Sequence, residues 1–136
     1  MIKILTCNLG RSKAAHALIE RTAAELQASI IICPEPNKKI VSNGNWFTDE
    51  RKDTVFRVIN KEIRVLNTIK GCGYDQIELL NIVIYGCYIS PNIPLEDFAT
   101  YLASLKNSIS LQRKKVILVG DFNAKSRLWG SHAEDR

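Results

Sequence analysis

An aspartate and an asparagine stand two positions apart at the point where the last aliphatic run of the chain ends. Residues 116–119 are all aliphatic, which is typical of a buried strand, and they lead into Asp121 and Asn123. Alternate side chains of an extended chain point to the same side, so these two residues can face one ligand while Phe122 points into the core. Hard cations bind carboxylate and amide oxygens, and an amide N–H also donates to phosphate. The pattern therefore predicts a cation and phosphate site at this strand end.

Three further polar residues follow apolar runs earlier in the chain. Asn8 follows residues 2–7, Glu35 lies between two prolines after residues 31–33, and Tyr88 ends a long apolar run. A carboxylate at the end of a buried strand is costly unless it is paired or binds a cation, which favours Glu35 as a metal ligand. The alternatives remain open: Glu35 as a solvated loop residue, Asn8 as a turn former, and Tyr88 as a core aromatic.

The elements that position these residues begin with a β-α-β unit. Residues 2–7 and 29–33 have the composition of strands, and between them Ser12 precedes an apolar stripe with helical spacing, as a helix N-cap does. His16, near the start of this helix, is predicted to face solvent. Residues 37–52 are polar and charged, which predicts a loop.

The second half of the chain predicts further strands and one more helix. Residues 54–60 and 62–67 alternate weakly as strands do, and residues 70–73 have the composition of a turn. Residues 76–88 form the longest strand-like run. Residues 95–109 have an amphipathic helical pattern, and the last aliphatic run of the chain forms the final strand.

Composition limits the classes of function. With 136 residues and an apolar fraction of 46%, the chain is one domain or less with an ordered core. The net charge of +5 suits a surface that binds a polyanion, although many unrelated small proteins are as basic. The four cysteines form no CxxC pair, which predicts free thiols in a reducing compartment. No apolar stretch approaches the ~20 residues that span a membrane, so no membrane partner is expected.

The motifs together resemble the endonuclease/exonuclease/phosphatase superfamily of Mg-dependent phosphodiesterases. The resemblance rests on four segments in family order: residues 4–9 with Arg11, residues 31–36, residues 87–92 and residues 120–126. The last of these, Gly-Asp-Phe-Asn-Ala-Lys-Ser, is followed by Trp-Gly-Ser and is similar to the endonuclease domain of arthropod non-LTR retrotransposons. The resemblance implies an α/β (α+β) fold, a four-layer sandwich, with DNA as the substrate.

The resemblance also implies a role for each site residue. Glu35 would hold Mg²⁺ or Mn²⁺, and Asn8 and Asn123 would position the phosphate and the attacking water. Asp121 would orient or deprotonate that water, and Tyr88 would donate to a phosphate oxygen. This set predicts nicking of DNA by hydrolysis of a phosphodiester bond.

Basic residues between the second and third predicted strands add to this prediction. Lys38, Lys39, Arg51 and Lys52 could contact flanking phosphates, and a solvated charged loop is an equal alternative.

The chain departs from the family pattern at its C-terminal end. The later family motifs, a further aspartate and a closing Asp-His pair, do not follow, and neither His16 nor His132 has a matching context. Residues 1–136 are therefore predicted to be an incomplete domain that holds the first sheet and only the start of the second. The inner face of the first sheet would then be an exposed apolar patch.

Two hypotheses of different class follow from this departure. In the first, the chain is the N-terminal part of a Mg-dependent nicking endonuclease. The missing C-terminal part or a reverse transcriptase domain of the same polyprotein would be its partner, and it would act in the nucleus. In the second, the chain is a catalytically incomplete remnant that only binds metal, nucleic acid or a partner.

Overall fold

The computed structural model describes residues 2–42 and 45–121, and this part of the chain forms eight strands and three helices. In chain order they are β1 (Ile4–Leu5), α1 (Lys13–Leu26), β2 (Ile30–Pro34), α2 (Lys38–Ser42), β3 (Phe47–Thr48), β4 (Thr54–Val58), β5 (Asn67–Lys70), β6 (Tyr74–Glu78), β7 (Ile82–Tyr88), α3 (Leu95–Ser110) and β8 (Lys115–Asp121). None of these helices is long and apolar enough to cross a membrane.

The first sheet has the strand order β1-β2-β4-β3. β1 runs parallel to β2, with Leu5 opposite Ile31, and β4 runs antiparallel to β2, with Phe56 opposite Ile32. The predicted β-α-β opening is confirmed, because α1 connects the two parallel strands. Parallel pairing means that the chain leaves β1 and β2 at the same edge of the sheet.

The second sheet has the strand order β5-β6-β7-β8. β5, β6 and β7 are antiparallel neighbours, whereas β8 runs parallel to β7 with Asp121 opposite Tyr88. The single long strand predicted over residues 76–88 is wrong, because a tight turn in which the Leu79 N–H donates to the Ile82 carbonyl (2.9 Å) divides it into β6 and β7. Both strands are largely buried, so the apolar pattern continues through the turn and conceals it.

Three apolar clusters separate four layers of the fold. Ile19 and Ala23 of α1 pack on the outer face of the first sheet, and Leu105 of α3 packs on Tyr85 of the second sheet. The third cluster lies between the two sheets and consists of Ile30, Ile32, Phe56, Ile77, Leu79 and Ile84. The α/β sandwich predicted from the sequence is therefore confirmed.

The inner face of the first sheet has a partner, so the exposed apolar patch predicted there is wrong. The second sheet already contains four strands, and Ile77 and Ile84 share a buried cluster with Ile32 of the first sheet. Exposed apolar side chains occur instead on β8, where Ile117 and Leu118 are 38% and 46% exposed.

Two weaker predictions also differ from the fold. Residues 37–52 are not only a loop, because they contain α2 and β3. The Asn37 side chain starts α2, since its Oδ1 accepts the N–H groups of Lys39 (3.1 Å) and Ile40 (3.2 Å). The strand predicted over residues 62–67 begins only at Asn67, where the chain first pairs with β6.

The start of α1 follows the sequence prediction, whereas the position of His16 does not. Ser12 is the N-cap, and its Oγ accepts the Ala15 N–H at 3.2 Å. His16 is buried rather than facing solvent, because its Nε2 accepts the Asn37 N–H at 2.8 Å and its ring meets Trp46 edge-on. Burial lowers the pKa of His16, and the Glu20 carboxylate partly opposes this shift.

The cysteines should divide into two reactive and two protected thiols. Cys7 and Cys72 are exposed, whereas Cys33 and Cys87 are buried. Burial is the largest cause that raises the pKa of Cys33 and of Cys87 to about 12, from 9.0, which lowers the thiolate fraction roughly a thousandfold. Iodoacetamide at pH 8, read by mass spectrometry, should modify Cys7 and Cys72 first. Equal modification of all four before denaturation would contradict this packing.

Candidate functional site

The candidate site lies where β1 and β2 end side by side. Asn8 and Glu35 leave the first sheet at the same edge, and their side chains meet there. The Asn8 Nδ2–H donates to Glu35 Oε2 at 2.6 Å, and Asn8 Oδ1 accepts the Gly10 N–H at 2.8 Å. The second contact holds the Asn8 amide so that its N–H points at the carboxylate. The structure thus brings two of the predicted site residues into direct contact.

The backbone of Glu35 adopts a conformation that is uncommon for a residue other than glycine. Its φ is +53°, which is in the left-handed region. The Glu35 N–H donates to the Asp53 carbonyl at 2.8 Å, and the Glu35 carbonyl accepts the Arg11 N–H at 2.8 Å. Pro34 and Pro36 restrict the chain on either side. Together these contacts fix the direction in which the carboxyl group leaves the sheet.

Tyr88 and Asp121 reach the same region from the second sheet, where they occupy opposite positions on parallel strands. Burial is the largest cause that raises the pKa of Tyr88, and the carboxylates of Glu35, Asp53 and Asp121 raise it further. The Arg11 guanidinium acts in the opposite direction. The Tyr88 hydroxyl is therefore protonated at neutral pH and able to donate a hydrogen bond.

Four of the five predicted site residues therefore come together, and the fifth, Asn123, lies outside the described residues. The carboxylate oxygens of Glu35 and Asp121 are the ligand type that a hard cation such as Mg²⁺ binds, whereas the Asn8 amide turns its N–H toward Glu35. Among residues 2–42 and 45–121, no three His, Cys, Asp or Glu side chains form a complete metal cluster. Glu35 accordingly remains the one predicted protein ligand within this part of the chain.

The predicted basic residues flank this edge of the fold. Lys38 and Lys39 lie in α2, which begins three residues after Glu35. Arg51 is exposed, and the Lys52 Nζ donates to Ser42 Oγ at 2.5 Å. These positions are compatible with contacts to flanking phosphates, which remain a prediction.

Two aspartates that the sequence patterns did not single out organise the region behind the site. Asp49 is buried, and its Oδ1 accepts the N–H groups of Asp53 (2.7 Å) and Thr54 (2.9 Å). Asp53 in turn forms an ion pair with Arg11 at 2.8 Å. The only sequence signal for them is their place just before β4, where short polar side chains commonly bind turn backbone.

The fold and the edge site can now be compared with known proteins. Residues 82–136 match the sequence model of a family described as Endonuclease-reverse transcriptase. No curated protein matches the chain.

Among solved structures, the endonuclease domain of TRAS1, a telomere-specific non-LTR retrotransposon, is similar to this chain with a TM-score of 0.70 at 23% sequence identity. The match covers 99% of this chain and 65% of the TRAS1 chain, so this chain spans less than two thirds of that relative's length. The structural likeness establishes the fold. With the family match, it confirms the resemblance to retrotransposon endonucleases of the endonuclease/exonuclease/phosphatase type.

Proposed function

We propose that this chain is the N-terminal part of a divalent-metal-dependent endonuclease domain that nicks DNA. The observation that carries the proposal is the 2.6 Å contact between Asn8 and Glu35, at the edge where Tyr88 and Asp121 also emerge. The family match and the TRAS1-like fold support a nucleic acid as the substrate. By the same analogy, we propose that the chain acts in the nucleus as part of a polyprotein with a reverse transcriptase domain.

In this proposal each side chain has one task. A Mg²⁺ or Mn²⁺ ion held by Glu35 would neutralise charge on the scissile phosphate and its leaving oxygen. Asn8 fixes the Glu35 carboxylate by its N–H, and the protonated Tyr88 hydroxyl donates to a phosphate oxygen. Asp121 orients the attacking water and accepts its proton. Positioning and electrostatics supply most of the rate in phosphoryl chemistry, so the proposal requires no covalent nucleophile.

The test is nicking of supercoiled plasmid by the purified chain with Mg²⁺. The wild-type chain should produce open circles, and EDTA should stop the reaction. Glu35→Ala should lower the rate by about a hundredfold or more, since it removes the metal-binding carboxylate. Glu62→Ala is the matched control, because Glu62 is exposed beyond the opposite end of the first sheet, and it should leave the rate unchanged.

The alternative is a catalytically incomplete remnant that binds metal, nucleic acid or a partner, and the exposed apolar residues of β8 would offer such a partner a contact surface. Folded wild-type chain that binds Mn²⁺ in electron paramagnetic resonance titrations without nicking would support this alternative. Equal nicking by wild-type and Glu35→Ala chains would contradict the proposed role of Glu35.

A further inference from the structure

Four residues with left-handed backbone conformation lie together at the candidate site, and Glu35 is one of them. They are Gly10, Arg11, Glu35 itself and Lys52, with φ values of +55°, +60°, +53° and +57°. Three of the four are not glycine, and such conformations persist only where the surrounding contacts impose them. The contacts that impose them here converge on the Arg11 side chain.

The Arg11 guanidinium holds two chain segments together. Its Nη1 donates to the Pro36 carbonyl at 2.9 Å and to the Lys52 carbonyl at 2.7 Å. Its Nη2 donates to Asp53 Oδ1 at 2.8 Å. We call Arg11, Pro36, Lys52 and Asp53 the Arg11 clamp.

Both segments of the Arg11 clamp control the backbone of Glu35. Pro36 follows Glu35 directly, and the Asp53 carbonyl accepts the Glu35 N–H. The Arg11 N–H also donates to the Glu35 carbonyl, so contacts to Arg11 and Asp53 engage both polar groups of the Glu35 backbone. Glu35 therefore cannot change its backbone conformation without breaking contacts to the clamp.

The far side of the clamp is held independently of Arg11. Asp49 accepts the Asp53 N–H and the Thr54 N–H, and its second oxygen accepts the N–H of Gly73, which leads into the second sheet. Asp53 is thus fixed to both sheets. Arg11 connects Glu35 to this fixed position, because its guanidinium binds Asp53 and its backbone N–H donates to the Glu35 carbonyl.

From these contacts we propose that Arg11 is the positioning residue for Glu35, and that its guanidinium aims the carboxylate at Asn8 and at the bound cation. The part of this inference that concerns the cation rests on the proposed function. The part that concerns the direction of the Glu35 carboxylate toward Asn8 rests on the contacts alone. Three N–H donors of Arg11 are already engaged by the clamp, which distinguishes this role from direct binding of a DNA phosphate.

Lysine cannot replace arginine in this position. The guanidinium reaches three acceptors with a planar fork, whereas an ammonium group is a point charge on a flexible stem. Arg11→Lys keeps the charge and loses the geometry. Arg57→Lys is the matched control, because Arg57 forms a comparable pair with Glu20 at 2.6 Å on the outer face of the first sheet.

The experiment reports the position of the Glu35 side chain without a measurement of nicking activity. Two-dimensional ¹⁵N NMR of the full chain should show the Asn8 side-chain amide shifted by its hydrogen bond to Glu35. In Arg11→Lys this signal should move toward the free asparagine position, and in Arg57→Lys it should stay in place. The half-saturating Mn²⁺ concentration should rise about tenfold in Arg11→Lys only, as is typical when support of a metal ligand is lost.

An Asn8 signal that is unchanged in Arg11→Lys, or equally changed in Arg57→Lys, would overturn the inference. If Arg11→Lys does not fold, Asp53→Asn removes the ion pair, keeps the two carbonyl contacts of Arg11, and should move the same signal. A wild-type chain that neither nicks DNA nor binds Mn²⁺ would contradict the proposed function. The Asn8 signal would still decide the role of Arg11 in that case.

Discussion

Replacement of Asn8 by alanine is expected to lower the rate of plasmid nicking by about two to three orders of magnitude, the usual cost of losing one oriented polar group at a phosphate or oxyanion site. The physical reason is the double contact of the Asn8 side chain. Its N–H holds Glu35 Oε2 at 2.6 Å, and its Oδ1 is held by the Gly10 N–H. Without the amide, the Glu35 carboxylate is free to rotate away from the cation position.

Asn8→Asp keeps one contact of this side chain and removes the other. Aspartate keeps an acceptor for the Gly10 N–H but places a second carboxylate against Glu35, and two like charges at this distance repel each other. We expect a loss of nicking similar to that of Asn8→Ala, with a protein that still folds.

The matched control for both Asn8 variants is Asn60→Ala. Asn60 makes the same kind of turn contact, since its Oδ1 accepts the Glu62 N–H at 2.9 Å, but it lies beyond the opposite end of the first sheet. Nicking should be unchanged in this variant. Full activity in Asn8→Asp would show that the donor to Glu35 has no role.

The sequence patterns predicted the parts of the fold whose apolar residues face one neighbour. The helix after Ser12 and the helix over residues 95–109 were predicted within a few residues, because each has one apolar stripe. The hairpin between β6 and β7 was missed because both strands are largely buried, so their apolar runs join through Leu79 and Leu80.

The candidate site likewise contains residues that the sequence patterns predicted and a residue that they missed. Asn8, Glu35, Tyr88 and Asp121 were predicted because each is a polar residue at the end of an apolar run, and strand ends meet at sheet edges. The contribution of Asp53 was not predicted, because it depends on a loop conformation that brings distant backbone carbonyls around Arg11. Such contacts arise from the tertiary fold and leave no periodic pattern in the sequence.

A buried carboxyl group links this loop to the centre of the second sheet. Asp75 is 1% exposed and lies over Gly86, where any side chain would overlap the carboxyl. Its Oδ2 has no hydrogen-bond partner among the described residues. Burial is the largest cause that raises the pKa of Asp75 well above 3.8, and the buried Asp49 carboxylate raises it further. Asp75 is therefore neutral in the folded protein over a wider pH range than in the unfolded chain.

Relative to the wild-type chain, Asp75→Asn is expected to raise the free energy of unfolding by an amount that grows as the pH rises. A raised pKa in the folded state means that the stability is fully present below the pKa of the unfolded carboxyl and is lost as the pH rises through the folded pKa. Asparagine keeps the shape of the side chain and cannot ionise. Above the folded pKa we expect a gain of about 1–3 kcal/mol in the free energy of unfolding.

Urea denaturation at a series of pH values measures this difference between Asp75→Asn and the wild-type chain. The two unfolding curves should be closest in acid and should separate as the pH rises. Asp97→Asn, in the exposed first turn of α3, should show no such growing gain, because its carboxyl group is in contact with water in the folded protein as well. A loss of stability in Asp75→Asn that persists at high pH would mean that the ionised carboxylate is paired in the fold.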